Sequence, residues 1–426
     1  MVKAEKIPEG YRATEAGILP VDWQVKRLSE IATELTERAG QDMYETVSIS
    51  AGIGFVNQAE KFGKELSGKQ YEKYIVLHKG DFSYNKGNSK TSPQGCIYRL
   101  NDRESAAVPN VFESFRIKEQ DTDYYEQLFL SGFLNRQLYS RINRGVRDDG
   151  LLNLTGKDFY SCTVPVPPVD EQKKIAEVLL CCDRVINLKQ QLIVELQRLK
   201  SGFLQAMFPA KGHSEPDIRF PEFSDAWEQR KLSELCEKFT DGDWIEAKDQ
   251  SDSGVRLIQT GNIGVTEYLD KPSNKKWVSE KTFERLRCEE VLPGDILISR
   301  LPEPAGRACI MPYLGTKMIT AVDCTIVRTS EKYSSKYLVQ FLSTQDYFNE
   351  VNTALAGGTR QRISRSNLAL FGVPMPPSFE EQQAIGDFFS QFDNLITFHQ
   401  RELEETKKKK KSLAKLLLTG SVRVPT

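Results

Sequence analysis

Two arginine-rich stretches carry the strongest chemical signal in this sequence of 426 residues. Residues 132–147 hold four arginines and residues 354–371 hold three, and neither stretch contains an aspartate or a glutamate. A guanidinium group can pair with two acceptors at once, on the edge of guanine or on a phosphate. Both stretches follow a shared Phe-Leu-Ser tripeptide, which indicates equivalent positions in a repeat. We therefore predict that both contact DNA, in preference to forming solvated helix faces.

Shorter polar segments add to this set. Asn85 and Lys86 begin a basic loop after a Gly-Asp turn, and Arg300 follows the second copy of that turn. The full set of candidate DNA contacts is Asn85, Lys86, Lys90, Arg141, Arg144, Arg147, Arg300, Thr359, Arg360, Arg362 and Arg365.

Other chemistries are poorly represented. The segment from Gly63 to Lys69 resembles a phosphate-binding loop, but Gln70 stands where a serine or threonine should bind magnesium. Glu246-Ala247-Lys248 resembles part of a nuclease site, although such a triplet is common by chance. The 3 histidines and 8 scattered cysteines favour neither a zinc site nor a disulfide framework, so no metal site is predicted.

The composition is that of a globular protein. The net charge of -1 excludes a strongly basic protein, but a local basic patch is sufficient for DNA binding. No apolar run reaches transmembrane length and no secretory signal opens the chain, so we expect a cytoplasmic protein with no membrane contact.

The elements that position these residues recur twice. A Trp-x(4)-Leu-Ser-Glu segment begins at Trp23 and again at Trp227. Each copy then passes through divergent sequence with a shared Gly-Asp turn, and ends in Val-Pro-x-Pro followed by a Glu-Gln pair. Short alternating apolar runs predict strands within each copy. A constant frame around variable filling suggests one scaffold that reads two different targets.

Each copy closes with a long helical pattern. Prolines precede both patterns, as is typical of helix starts. In the first pattern, Val185, Leu192 and Leu199 follow coiled-coil spacing, and in the second Ile396 and Leu403 do so. The residues predicted to act in helix pairing or partner binding are Glu171, Gln172, Leu192, Leu196, Leu199, Phe203, Glu381, Gln382, Ile396 and Leu403.

We therefore expect an α+β fold in which two similar target-recognition globules are joined by two long antiparallel helices. The helices would form a coiled-coil spacer, and the copies would be related by a pseudo-two-fold internal repeat. The expected parts are a first recognition domain at 1–166, a first spacer helix at 167–210, a second recognition domain at 211–375, and a second spacer helix with a tail at 376–426.

The two-copy order of these motifs over nearly the whole chain resembles the specificity subunit of a Type I restriction-modification system. The resemblance implies a non-catalytic subunit that reads a bipartite site on double-stranded DNA, one half-site per recognition domain. It also implies two adenine-N6 methyltransferase subunits and restriction subunits as partners. S-adenosylmethionine, ATP and magnesium are then expected only in those partners, with no cofactor in this chain. One departure is that Asp148 and Asp149 are acidic where the second copy has Gln361 and Arg362.

Two other readings remain open at this point. The chain could be a stand-alone bipartite DNA-binding protein, or a nuclease in its own right. Recovery of a methyltransferase in a pull-down would distinguish the family reading from the first, and intrinsic DNA cleavage would favour the second.

Overall fold

The first copy consists of short strands and helices followed by one long helix. The computed structural model describes residues 7–63, 68–87, 92–142, 152–358 and 361–425. In chain order, the elements of the first copy are β1 (Tyr11–Thr14), β2 (Gly17–Pro20), β3 (Gln24–Arg27), α1 (Leu28–Ile31), β4 (Ala32–Glu34), β5 (Val47–Ser50), β6 (Gly54–Asn57), α2 (Gln58–Phe62), a 3-10 turn (Gly68–Lys73), β7 (Ile75–His78), β8 (Phe82–Asn85), β9 (Cys96–Arg99), β10 (Ser105–Val108), β11 (Glu113–Ile117), α3 (Thr122–Leu130), α4 (Asn135–Arg141), α5 (Gly156–Tyr160), β12 (Thr163–Val166) and α6 (Val169–Met207).

The second copy repeats this order with different intermediate segments. Its elements are β13 (Glu228–Lys231), a 3-10 turn (Leu232–Leu235), β14 (Cys236–Asp241), a 3-10 turn (Ala247–Asp249), β15 (Gln250–Ser251), β16 (Val255–Ile258), 3-10 turns (Thr260–Asn262 and Pro272–Asn274), β17 (Lys276–Val278), α7 (Glu280–Leu286), β18 (Ile296–Ser299), β19 (Ala308–Ile310), β20 (Met318–Thr320), β21 (Cys324–Thr329), α8 (Ser335–Phe341), α9 (Gln345–Thr353), α10 (Arg365–Leu370), β22 (Gly372–Met375) and α11 (Phe379–Leu418).

One antiparallel four-stranded sheet is common to both copies. Its order is β4-β11-β8-β9 in the first copy and β14-β21-β18-β19 in the second, with equivalent strands in equivalent places. The entry strand also pairs with the strand before the long helix in both copies, as β3 with β12 and β13 with β22. The remaining sheets differ, because β15-β17-β16-β20 contains four strands where the first copy has the pairs β10-β7 and β5-β6. The two copies therefore share one four-stranded sheet and one strand pair, and differ in the remaining sheets.

The Gly-Asp turn performs the same task in both sheets. Asp81 is 1% exposed and accepts two hydrogen bonds from the guanidinium of Arg116, at 2.6 and 2.9 Å. Asp295 is 2% exposed and accepts two from Arg328, at 2.7 and 2.8 Å. Each aspartate also accepts the backbone N–H three residues before it, which closes the turn. The paired carboxylate raises the pKa of the arginine in each copy. The predicted turn is confirmed, and a strand, β8 or β18, follows it in each copy.

The chain divides into two units, and each long helix contributes to both. The first unit contains residues 1–188 and 403–426, and the second contains residues 189–402. The core of the first unit therefore includes Leu417 and Leu418 from the end of α11. The core of the second includes Met207 and Phe208 from the end of α6. Each globule is thus closed by a segment that is distant in sequence.

Within each unit, the helical segments pair in antiparallel fashion. In the second unit the ammonium of Lys189 lies 2.9 Å from the carboxylate of Glu402, and that of Lys200 lies 2.5 Å from Asp393. In the first unit Lys410 lies 2.5 Å from Asp183. As numbers rise along α6, those of the partners on α11 fall. The expected α+β class, with two similar globules and two long antiparallel helices, is confirmed.

The seam of α11 agrees with the sequence pattern, but that of α6 does not. Ile396 and Leu403 are 9% and 8% exposed, as coiled-coil spacing predicts. On α6 the prediction is wrong for Val185, Leu192 and Leu199, whose exposed fractions are 40%, 42% and 49%. The residues of α6 that face the neighbouring helix or the globule are Ile175, Leu179, Ile186, Lys189, Ile193, Leu196, Lys200, Phe203 and Met207.

The error has a physical cause. Lys189 and Lys200 occupy positions on the inward-facing side of α6. A pattern fitted to apolar residues alone therefore places several seam positions one residue too early, at Leu199 in place of Lys200 for example. Lysine can bury its methylene stem while its ammonium reaches a carboxylate. Lys200 does so, with a side chain 11% exposed and its charge paired with Asp393. Leu196 and Phe203 belong to both patterns and are correctly predicted; the Phe203 ring packs edge-on against Phe388 at a centroid distance of 5.3 Å.

Candidate nucleic-acid interface and spacer helices

Three arginines converge on two aspartates in the second globule, and we name these five residues the arginine cluster. Arg300 Nη2 lies 3.5 Å from Asp241 Oδ2 and 4.0 Å from Asp323 Oδ1. Arg362 Nη1 lies 3.6 Å from Asp323 Oδ1, and Arg365 Nε lies 3.9 Å from Asp241 Oδ2. All four separations exceed the 2.7–2.9 Å of a charge-assisted hydrogen bond. The guanidinium groups are therefore held nearby without being locked to these carboxylates.

The three arginines differ in exposure. The side chain of Arg300 is 8% exposed and donates to the carbonyl of Val322 at 2.6 Å, whereas its buried Nε has no partner among the described residues. The side chains of Arg362 and Arg365 are 60% and 45% exposed. Arg300 is thus a structural centre of the cluster, and the other two present their charge to solvent.

Local backbone structure places these groups together. Arg362 and Ala356 exchange backbone hydrogen bonds of 2.9 and 3.1 Å, which closes the loop between α9 and α10. The next residue, Ile363, donates its backbone N–H to the carbonyl of Arg300 at 3.1 Å. Ser364 caps α10 by accepting from Asn367 N at 3.0 Å, so Arg365 begins the helix. The predicted contacts Thr359 and Arg360 lie outside the described residues.

Arg307 is a neighbouring residue that sequence reasoning missed. It is 8% exposed, and burial lowers the pKa of its guanidinium. The carbonyls that accept its hydrogen bonds, at 2.7 to 2.8 Å, are those of Ile263, Leu301, Pro304 and Thr260. A single side chain therefore joins the segment after Arg300 to the turn at Thr260–Asn262. No motif identifies it, because its acceptors are backbone atoms far apart in sequence.

The candidate residues of the first globule are placed differently. The ammonium of Lys86 lies 2.5 Å from the carboxylate of Glu113, and both side chains are 13% exposed. Asn85 donates to the carbonyl of Ile49 at 3.2 Å. Arg141 donates to Ser161 Oγ at 3.1 Å and to its own helix. These three side chains hold the end of β8 and helix α4 in place. Lys90, Arg144 and Arg147 lie outside the described residues.

The two basic stretches are equivalent only in part, which corrects the sequence comparison. Residues 132–147 include helix α4, whose counterpart is α9, whereas residues 354–371 begin after α9 and include α10. Arg141 therefore has no basic counterpart in the second copy. The overlap is confined to the residues that follow α4 and α9 in the sequence. The shared Phe-Leu-Ser tripeptides lie at the ends of helices α3 and α8, and in the second copy one more helix, α9, lies between the tripeptide and the basic stretch.

The Glu-Gln pairs at the helix starts are buried latches. Trp23 donates its indole N–H to Glu171 at 3.0 Å, and Arg423 donates to both oxygens of that carboxylate at 2.6 and 2.8 Å. In the second copy, Trp227 donates to Glu381 at 3.2 Å, and a second arginine, at position 219, donates to both carboxylate oxygens at 2.6 and 2.8 Å. We call each set of Trp, Glu and Arg a tryptophan latch. Both carboxylates are 1% exposed.

The neighbouring glutamines complete this arrangement. Gln172 accepts from Asp121 N at 3.0 Å, and Gln382 accepts from Ser334 N at 2.9 Å. Asp121 and Ser334 are the N-caps of α3 and α8, so each glutamine ties a long helix to the same helix of its globule. Burial at the helix start explains why these polar pairs recur with constant spacing.

The segments considered for other chemistries take ordinary structural roles. Gly63 ends helix α2 with φ 69°, whereas a phosphate-binding loop follows a strand. Glu246 and Lys248 form an exposed ion pair of 2.7 Å with each other. Among the described residues, no three histidine, cysteine, aspartate or glutamate side chains are grouped as metal ligands. The same part of the chain holds no helix long and apolar enough to cross a membrane.

Comparison with known proteins decides the family. The model of the Type I restriction modification DNA specificity domain matches this chain twice, over residues 20–198 and 224–408. The chain belongs to this family. The two matches coincide with the two copies found in the sequence, and the predicted resemblance to a Type I specificity subunit is confirmed. The predicted role in DNA specificity is also confirmed, and the two copies of the domain fit a bipartite site.

Relatives of similar length support the family assignment. The chain is 26% identical over 444 residues, covering 98% of both chains, to a putative type I restriction enzyme MjaX specificity subunit of Methanocaldococcus jannaschii. It is also 26% identical over 324 residues, 72% of both chains, to the MjaVIII specificity subunit of the same organism.

Two solved structures share the fold. One is a chain of a type I R-M system studied for complex assembly and conformational transition, with TM-score 0.56, 18% identity and coverage of 95% and 99% of the two chains. The other is the type I restriction-modification S subunit from M. genitalium, with TM-score 0.55, 13% identity and 97% coverage of both. At 18% and 13% identity, these structural similarities show that the chain shares the fold of the two proteins.

Proposed function

We propose that this chain reads a bipartite site on double-stranded DNA, with one half-site contacted by each globule. The observation that carries the proposal is the duplication itself: one sheet order and one latch recur, while the intervening loops differ. In the second globule, the exposed guanidinium groups of Arg362 and Arg365 are the proposed contacts. Base edges supply specificity and phosphates supply position, so the cluster can serve both purposes.

We further propose that the subunit is non-catalytic and acts through partners. A Type I system combines specificity with modification and restriction subunits. Two equivalent copies in this chain would provide two equivalent surfaces, and hence bind two methyltransferase subunits. In this proposal the S-adenosylmethionine, ATP and magnesium that take part in methyl transfer and cleavage bind to the partners. The complex works in the cytoplasm, on cellular DNA.

An exchange of recognition segments tests bipartite reading. Residues 241–374 are replaced by the matching segment of a related specificity subunit, and methylated sites are mapped genome-wide in cells that contain the modification partner. We expect one half of the recognised sequence to change and the other to be retained. The matched control exchanges residues 32–162, which should change only the opposite half. If either exchange altered both halves together, the globules would not be independent readers.

Activity assays of the purified chain test the absence of catalysis. With DNA, magnesium, ATP and S-adenosylmethionine, we expect neither methyl transfer nor cleavage, and methyl transfer should appear once the modification subunits are added. Cleavage by the chain alone would support the nuclease alternative. Failure to recover a methyltransferase with the tagged chain from its own cells would support the stand-alone DNA-binding alternative.

A further inference from the structure

A cavity of about 620 Å³ lies in the first unit, between α11 and the surface formed by β9 and the connection from α3 to α4. Its lining includes four lysines of α11, namely Lys407, Lys410, Lys411 and Lys415. The described residues that line it include no aspartate, glutamate or arginine. Concave surfaces lined by one sign of charge concentrate counter-ions. The charge of this cavity therefore selects an anion.

The four lysines are not equally available. Lys407 lies 2.8 Å from a carboxylate oxygen of Glu404, and Lys410 lies 2.5 Å from one of Asp183. Both charges are thus partly neutralised within the protein. Lys411 and Lys415 are exposed on the same helix, and neither forms an ion pair within the described part of the chain. Two ammonium groups, one turn of helix apart, are free to receive phosphate oxygens.

The opposite wall has a different character. Tyr98 and Phe133, both half-buried, contribute aromatic surface, and Ser131 and Asn135 add hydroxyl and amide groups. Aromatic rings provide stacking surfaces for nucleobases. The volume lies within the usual range of small-molecule sites, about 300–1,000 Å³. It is larger than an inorganic anion requires, and a DNA duplex cannot enter it.

We propose that this cavity is a binding site for a free nucleoside polyphosphate. The phosphates lie against Lys411 and Lys415, and the base lies against the aromatic wall. The site is separate from the arginine cluster, which lies in the other globule, and the proposal does not depend on how DNA is read.

Titration calorimetry of the full chain with ATP tests the site, in buffer containing EDTA so that divalent cations do not mask the phosphates. We expect saturable binding at one site, and weaker binding of inorganic pyrophosphate, which lacks a base. The double variant Lys411→Ala/Lys415→Ala should bind ATP at least about tenfold more weakly, because it loses two charged hydrogen bonds. Lys408→Ala/Lys409→Ala is the matched control, since it removes two lysines of the same helix that do not line the cavity. It should bind ATP within about twofold of the unaltered chain.

A covalent probe makes the test independent of how the variants fold. The ribose dialdehyde of periodate-oxidised ATP condenses with an unprotonated lysine amine and releases water, and borohydride then transfers hydride to the imine carbon to fix the adduct. Peptide mapping should find the adduct at Lys411 or Lys415, with protection by unmodified ATP. The proposal is overturned if ATP does not bind saturably, if both double variants lose the same affinity, or if labelling is spread evenly over the lysines of 407–415. It also fails if the cavity variant loses affinity for duplex DNA while its ATP binding is unchanged.

Discussion

Replacing Arg362 with alanine separates a DNA contact from a structural role. The side chain is 60% exposed, and its ion pair with Asp323 spans 3.6 Å. Exposed pairs of this kind contribute about 0–1 kcal/mol, so we expect the free energy of unfolding to fall by less than ~1 kcal/mol. A bidentate contact with a base contributes about 1–3 kcal/mol to discrimination. Affinity for the specific site should therefore fall about 5- to 150-fold while the fold is retained.

The salt dependence identifies which DNA group the arginine contacts. Binding of the complex with its modification partner would be measured by fluorescence anisotropy between about 50 and 200 mM salt. Loss of a base contact leaves the slope of log K against log salt unchanged and relaxes one half-site. Loss of a phosphate contact lowers the slope by about 0.9 and weakens all sequences alike. Arg230→Ala is the control, because Arg230 is a surface arginine paired with Glu228 on β13. Unchanged affinity and slope in Arg362→Ala would refute the assignment.

Asp323→Asn should change the affinity for DNA in the opposite direction. Its carboxylate competes with DNA for the guanidinium of Arg362, so removing the charge should strengthen binding to unrelated sequences by about two- to fivefold. Discrimination between specific and unrelated DNA should decrease at the same time. Weaker binding to the specific site alone would show instead that Asp323 accepts a hydrogen bond from a base.

Three further outcomes are expected. Glu381→Ala should lower the free energy of unfolding by about 1–3 kcal/mol in urea titrations followed by tryptophan fluorescence, since it removes the buried acceptor of the Trp227 indole and of the partly buried Arg219 guanidinium. Glu380→Ala, one residue away and exposed, should change it little, and equal effects would contradict the latch. The hydrogen bond from Arg423 lowers the pKa of Asp22, so the ion pair stabilises the fold above the usual aspartate pKa of about 4, and this stabilisation is lost as pH falls through the lower folded-state pKa. The difference in the free energy of unfolding between the unaltered chain and Asp22→Asn should therefore shrink on acidification. A difference that stayed constant with pH would exclude this linkage. Four residues inserted after Leu192 rotate the following helix by only about 40°, whereas two inserted residues rotate it by about 200°. In methylation mapping, the four-residue variant should recognise sites whose unread gap is about one or two base pairs longer, and the two-residue variant should be inactive. An unchanged gap in an active four-residue variant would show that the helices do not set the spacing.

The repeat made most of the fold predictable. The recurring features are Trp23 and Trp227, the Gly-Asp turns and the long helices that follow prolines. Each occupies a buried position whose packing and hydrogen bonds require one residue type, so its spacing is the same in both copies. The seam of α6 was not predictable from apolar residues, because Lys200 occupies it through a salt bridge that only the partner helix reveals. The arginine cluster was half predictable. Its arginines lie in recognisable loops, but Asp241 and Asp323 join it through sheet pairing, which brings together residues distant in sequence.

The tryptophan latches have a consequence for any attempt to divide the protein. The arginine that completes the first latch, Arg423, follows α11, and the arginine that completes the second, Arg219, follows α6. A cut between the copies at residue 210 would therefore remove Arg423, Leu417 and Leu418 from the first globule. The second fragment would keep its latch but lose Met207 and Phe208 from its core. Neither fragment is a self-sufficient domain. Each carries the piece missing from the other, so the two should recover their structure by associating as complementary halves.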